Sequence, residues 1–180
     1  MNIVYARQPL PEKVYGNVPN SLFLAGPTPR DKNTPSWRPE ALAMLEKLGF
    51  TGTVFVPEDE EWGLSDVIYH EQTRWEIEAL GASSVVVFWI PRDLAHMPAF
   101  TTNTEYGLCV ALIPDFMVLG CPDTAKKVAY QKQLAADIQL VHNAFAHQFE
   151  DGPRFENLKP IPTSNTLQGT LLEALKLIPH

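Results

Sequence analysis

An α/β three-layer domain of flavodoxin-like or Rossmann-like type is predicted by two observations. Short apolar runs alternate along the chain with segments of helical periodicity, which is the signature of βαβ units. The run Val85-Val86-Val87-Phe88-Trp89-Ile90 is unbroken, β-branched and aromatic, as suits the middle of a sheet covered on both faces. About five parallel strands, right-handed crossovers and helices on both faces follow.

Taken in order, residues 1–20 carry Pro9, Pro11, Gly16 and Pro19 and are expected as an irregular arm, because proline supplies no ladder donor. Ser21-Leu22-Phe23-Leu24-Ala25, ended by Gly26-Pro27, reads as a buried first strand. Trp37, Ala41, Met44, Leu45 and Leu48 recur at helical spacing, which predicts a helix over 37–48 with Ser36 as N-cap and Gly49 as its stop. Thr53-Val54-Phe55-Val56 before Pro57 is a second strand, and the acidic stretch Glu58-Asp59-Glu60-Glu61-Trp62-Gly63 is a loop. A helix over 69–82 leads to the central strand 85–90, and a loop over 91–100 to a helix opened by Thr102-Asn103-Thr104-Glu105 and running to Leu112. Phe116-Met117-Val118-Leu119 is a fourth strand, stopped at Gly120-Cys121-Pro122. A lysine-rich helical stretch over 125–136 leads to Ile138-Gln139-Leu140-Val141, expected as a fifth strand. Residues 143–162 look irregular, and Leu167, Leu171, Ala174, Leu175 and Ile178 form the stripe of a closing helix. The expected organisation is an arm (1–20), an α/β domain (21–142) and a C-terminal extension (143–180) whose helix packs on the same domain.

The chain has 180 residues, 45% of them hydrophobic and 19% charged, which suits one core of ordinary size and excludes collagen, coiled coil and disorder. A net charge of −7 disfavours a grip on a polyanionic backbone, so a small molecule is the expected partner rather than a nucleic-acid polymer. Cys109 and Cys121 lack metal-ligand spacing and read as reduced core thiols of a cytoplasmic protein. No apolar run is long enough to span a membrane, and no signal peptide is read at the N-terminus. The first strand is followed by Gly26-Pro27-Thr28-Pro29-Arg30 and not by a dinucleotide fingerprint; a P-loop is absent, and the five histidines form no metal pattern, so no cofactor or metal is expected.

Ligands of such sheets bind beyond the carboxyl ends of the strands, here the loops after Ala25, Val56, Ile90 and Leu119. Two glutamates stand out near these loops. On a helical wheel His70, Glu71, Arg74 and Glu78 share a polar arc, whereas Glu76 falls on the opposite side beside Gln72, Ala79 and Leu80. An inward carboxylate is either paired, for instance with Arg30 or Arg38, or binds a ligand. Thr102-x-x-Glu105 matches a capping box, in which Glu105 bonds back to the Thr102 amide. Alternatively, Glu105 overhangs the sheet edge from the first turn of its helix, where the dipole keeps it ionised at neutral pH. An ionised carboxylate facing a second carboxyl group is equipment for displacement at an anomeric carbon.

Leu22-Phe23-Leu24-Ala25-Gly26-Pro27, the segment His70-Glu71-Gln72-Thr73-Arg74-Trp75-Glu76 with Val85-Val86-Val87, and Thr104-Glu105-Tyr106-Gly107 resemble, in order and spacing, three landmarks of the nucleoside 2-deoxyribosyltransferase family. The resemblance spans roughly residues 21–141 and is nearest to a deoxyribosyltransferase-like branch. It implies cleavage or transfer at the N-glycosidic bond of a nucleoside or nucleotide, with Glu105 as nucleophile at C1′ and Glu76 as the acid that binds and protonates the departing base. Gly26, Thr28 and Arg30 in the first loop, Trp62 as a stacking aromatic, and Thr101, Thr102, Asn103 and Tyr106 are the expected substrate-binding residues, with Thr28 and Arg30 in reach of a phosphate. The family's sugar-holding aspartate, six residues before the nucleophile, is Ala99 here. A non-catalytic nucleotide-binding module is therefore the alternative. Family members commonly associate, and the closing helix with the proline-rich arm is the expected contact of a homodimer or larger assembly.

Overall fold

In the computed structural model, residues 1–14, 16–60, 69–148 and 155–179 are described. A six-stranded, all-parallel sheet is formed by β1 (Asn2–Tyr5), β2 (Val18–Ala25), β3 (Thr53–Val56), β4 (Ser83–Trp89), β5 (Met117–Gly120) and β6 (Thr163–Ser164), in the order β1-β3-β2-β4-β5-β6. Its helices are α1 (Arg38–Lys47), α2 (Tyr69–Ala82), α3 (Phe100–Leu112), α4 (Ala129–Ala136), α5 (Ile138–Phe145) and α6 (Leu167–Leu177).

Period-two alternation divides the strand side chains between two cores. Phe23, Phe55, Val86 and Phe88 face α2 to α5, where Trp75, Ala79, Tyr106, Cys109, Ala135 and Ile138 cover them. Leu22, Leu24, Val54, Val85 and Val87 face α1 and α6, where Ala41, Leu45, Leu171 and Ala174 cover them. This is the three-layer α/β architecture read from the sequence. The chain steps from β2 to β3 on one side and then crosses to β4 on the other, so the order reverses between β2 and β4, and the carboxyl ends of these strands flank the crevice where ligands of open α/β sheets bind.

Three local expectations are corrected. Residues 2–5 are not irregular: they precede the first proline of the arm, and Asn2 to Tyr5 pair in register with Thr53 to Val56 at the sheet edge. Residues 138–141 are helical rather than the fifth strand. Ile138 and His142 are buried one turn apart while Leu140 is 67% exposed, a helical spacing that the short run concealed. The place beside β5 is taken by Thr163 and Ser164, from the stretch that follows the region expected to be irregular. Finally, the apolar stripe of α6 is buried in its own sheet: a Cβ at Gly120 would lie 2.1 Å from Thr170 Oγ1, so glycine is what lets α6 approach β5. That stripe is not a free contact surface for a second copy.

Both cysteines are free and buried. Among the described residues, no helix is long and apolar enough to cross a membrane.

Candidate active site

A cavity of about 550 Å³ opens at the carboxyl ends of β2, β3 and β4. Its walls are Gly26, Pro27, Thr28 and Arg30 after β2, Arg38 of α1, Pro57, Glu58 and Asp59 after β3, Gln72, Thr73 and Glu76 of α2, and residues 98–102 with Glu105 around the start of α3. Glu76 and Glu105 thus share one cavity, as do Gly26, Thr28, Arg30, Thr101 and Thr102. The loop after Leu119 contributes nothing to it; Cys121 lines a separate cleft with Lys132 and Ser164.

The helix-start geometry excludes one of the two readings of Glu105. Helix α3 begins at Phe100 after Ala99, whose φ of 61° is left-handed and whose side chain makes no cap bond. Thr102 is therefore the third helical residue and not the N-cap, so no capping box forms. Glu105 sits in the second turn, beyond the reach of the dipole's strongest effect. Burial pushes its carboxyl up to about 7, the charge of Glu76 adds to the rise, and Arg38 opposes it. Burial thus works against the ionisation expected from the helix dipole.

Glu76 occupies the inward arc of α2, opposite exposed Arg74 and Glu78, which pair at 2.9 Å. Its Oε1 accepts from Gln72 Nε2 at 2.7 Å. Burial raises the Glu76 carboxyl, against lowering by the Gln72 bond and by Arg38. Neither Arg30 nor Arg38 forms its ion-pair partner. Arg30 lies 5.4 Å from the ring centroid of Phe100 at the rim, while its backbone N–H donates to His96 O at 2.9 Å, joining the loop after β2 to the loop after β4.

Arg38 pairs with Glu58 at 2.5 Å, and neither side chain is exposed. It also donates through Nε to Leu24 O at 3.1 Å, through Nη2 to Gly26 O at 2.8 Å, and through Nη1 to Pro27 O and Thr28 Oγ1, both at 3.4 Å. Trp37 Nε1 adds a bond to Pro27 O at 3.1 Å. Gly26 completes this wall, since a Cβ there would lie 2.2 Å from Trp89 O and 2.8 Å from the Trp37 ring.

Two expected contacts lie elsewhere. Tyr106 is 1% exposed; its ring packs edge-on against Phe88 and its hydroxyl donates to Gln131 O at 3.0 Å, in the core beneath α4. Asn103 is exposed on α3, but its Oδ1 is held by Arg92 Nη2 and Gln131 Nε2, away from the cavity. Trp62 falls outside the described residues. Conversely, Glu58, Asp59, Gln72 and Thr73 line the cavity without having been singled out, and Arg38 only as a partner for Glu76. The signal was available for Glu58, which stands two residues past a strand's carboxyl end. Among the described residues, no group of three or more His, Cys, Asp and Glu side chains is placed to hold a metal.

Fold and cavity define an α/β protein with two carboxyl groups in one cavity at the switch point of a parallel sheet. The family described as nucleoside 2-deoxyribosyltransferase like matches residues 19–125, more than half of the chain, and the protein belongs to that family. The match runs from β2 to shortly after β5, and β1, α4 to α6 and β6 lie outside it. No curated protein is significantly similar to the chain.

Proposed function

We propose that the protein cleaves or transfers at the N-glycosidic bond of a nucleoside or nucleotide, with Glu105 as nucleophile and Glu76 as the acid for the departing base. The observation that carries this reading is the opening of both carboxyl groups onto one cavity of about 550 Å³, a volume suited to a nucleoside-sized ligand. Family membership supports glycosyl transfer and a small nucleoside-type substrate.

The reaction needs the two carboxyl groups in complementary protonation states. Burial raises both carboxyl groups, and the charge of Glu76 adds to the rise at Glu105, so joint ionisation of the two is resisted. In the productive arrangement Glu105 is the anion and Glu76 the acid. The Glu105 carboxylate oxygen bonds to C1′ as the C1′–N bond breaks, and the bond's electron pair leaves with the base, which takes the proton of Glu76. The fixed carboxylate also stabilises the oxocarbenium-like charge at C1′. Water or a second base then attacks C1′ of the glycosyl ester, returns a proton to Glu76 and frees Glu105. Thr28 and Arg30 at the rim, with the N-terminal turn of α3, offer donors for a 5′-phosphate.

One observation favours the alternative of a non-catalytic nucleotide-binding module: Ala99 presents a methyl group at the cavity where the family places a sugar-holding aspartate. The test is release of free base from a panel of deoxynucleosides, ribonucleosides and their monophosphates. Release by wild type, abolished in Glu105→Ala, supports the enzyme. Binding without release from any member of the panel supports the module.

A further inference from the structure

We propose that Arg38 is a positioning residue of this reaction: it fixes the loops after β2 and β3 as one wall of the cavity and sets a positive charge opposite Glu76 and Glu105. The inference rests on the reading of those two glutamates as the reacting pair.

Arg38 is the first residue of α1 and is fully buried. Desolvating a guanidinium is costly, and a fold that needed only to fill this space could use an apolar side chain. Instead its fork reaches the carbonyls of Leu24, Gly26 and Pro27, the Thr28 hydroxyl and Glu58. The loop after β2 is thereby tied to Glu58, beyond the end of β3. The planar set of donors is what makes this possible; a lysine ammonium cannot serve so many acceptors.

Compensation by Glu58 is partial. One of its oxygens meets Arg38, while the buried Oε2 has no hydrogen-bond partner. Four of the five bonds from Arg38 go to uncharged oxygens, so its charge is still felt across the cavity, where it acts on both glutamates in the direction of ionisation. Glu105 shares the cavity with Glu76 from α2, Arg38 from α1, Glu58 and Asp59 from the segment after β3, and Arg30 from the segment after β2, with Cys109 one turn on along its own helix. Asp59 is paired with Arg7, and Arg30 stands at the exposed rim. Among the described residues that line the cavity, Arg38 is the buried cation.

The test is a carboxyl-carbon NMR titration of Glu105 in the full chain, run beside the base-release assay. Glu58→Gln keeps the shape and the bond to Arg38 but removes the compensating charge. The Glu105 midpoint then falls by about one pH unit, and the acid limb of base release follows it. Arg38→Lys keeps the charge and loses the fork, so turnover falls about tenfold or more while the midpoint stays near that of wild type. An unchanged Glu105 midpoint in folded Glu58→Gln, or wild-type turnover in Arg38→Lys, overturns the proposal. A wild type that releases no base defeats the reading of function instead, and the Glu58→Gln midpoint still decides whether Arg38 acts on the pair.

Discussion

Glu105 on α3 and Glu76 on α2 open onto the same cavity, and the charge of Glu76 helps to hold the Glu105 carboxyl near neutrality. For a nucleophile this has a kinetic consequence. Base release depends on pH as a bell: the acid limb reports ionisation of the pair to its single anion, and the alkaline limb reports loss of the remaining proton. In Glu76→Gln the neighbouring charge is gone, so the Glu105 midpoint moves down and the alkaline limb is lost. A pH series of initial rates for both proteins checks this.

The same shift makes stability depend on pH. A folded-state value of about 7 lies above the ordinary 4.5 for glutamate, so the native state binds the proton more tightly than the unfolded chain does. The stabilising contribution is complete below about 4.5 and is lost as pH rises through 7. Glu105→Gln is accordingly more stable than wild type at pH 8, by a few degrees in Tm as an order of magnitude, with the gap closing toward pH 4. Thermal unfolding at the two pH values measures it.

Tyr106→Phe separates a core tyrosine from a ligand-binding one. The hydroxyl meets Gln131 O, so its loss costs roughly 1 kcal/mol of stability and leaves base release within about twofold of wild type. Urea unfolding and the rate assay together check both parts.

Gly26→Ala places a methyl group against Trp89 O and the Trp37 ring, forcing the end of β2 away from β4. Such overpacking costs about 1–3 kcal/mol, and because the displaced backbone is also the cavity wall held by Arg38, base release falls with it. The stability loss is read by urea unfolding and the rate by the same assay.

How much of this was legible in the sequence depended on the range of the interactions. The strands read at 53–56 and 85–90, found at Thr53–Val56 and Ser83–Trp89, and the helices α1, α2 and α6 follow from local period and end signals, and those signals suffice for a sheet covered by helices on both faces. Ile138-Gln139-Leu140-Val141 failed because four residues cannot distinguish period two from period 3.6, and only the placement of Thr163 and Ser164 beside β5 settles it. Glu76 could be placed on the inward face of α2 because a helical wheel is local. Arg38 and Glu58 could not be joined, since they are 20 residues apart and their meeting depends on the parallel pairing of β2 with β3. Tyr106 and Asn103 were grouped with the site by proximity to Glu105 in sequence, but successive helical residues point about 100° apart, and α4 claims both.

The covalent step is the centre of the proposed function, and the mass of the peptide carrying Glu105 tests it most directly. After acid quench of a reaction with a substrate that releases base, that peptide gains the mass of one glycosyl group in an ester linkage, and the gain is absent in Glu105→Gln. Release of base that persists in Glu105→Ala, or an adduct on another residue, would contradict it.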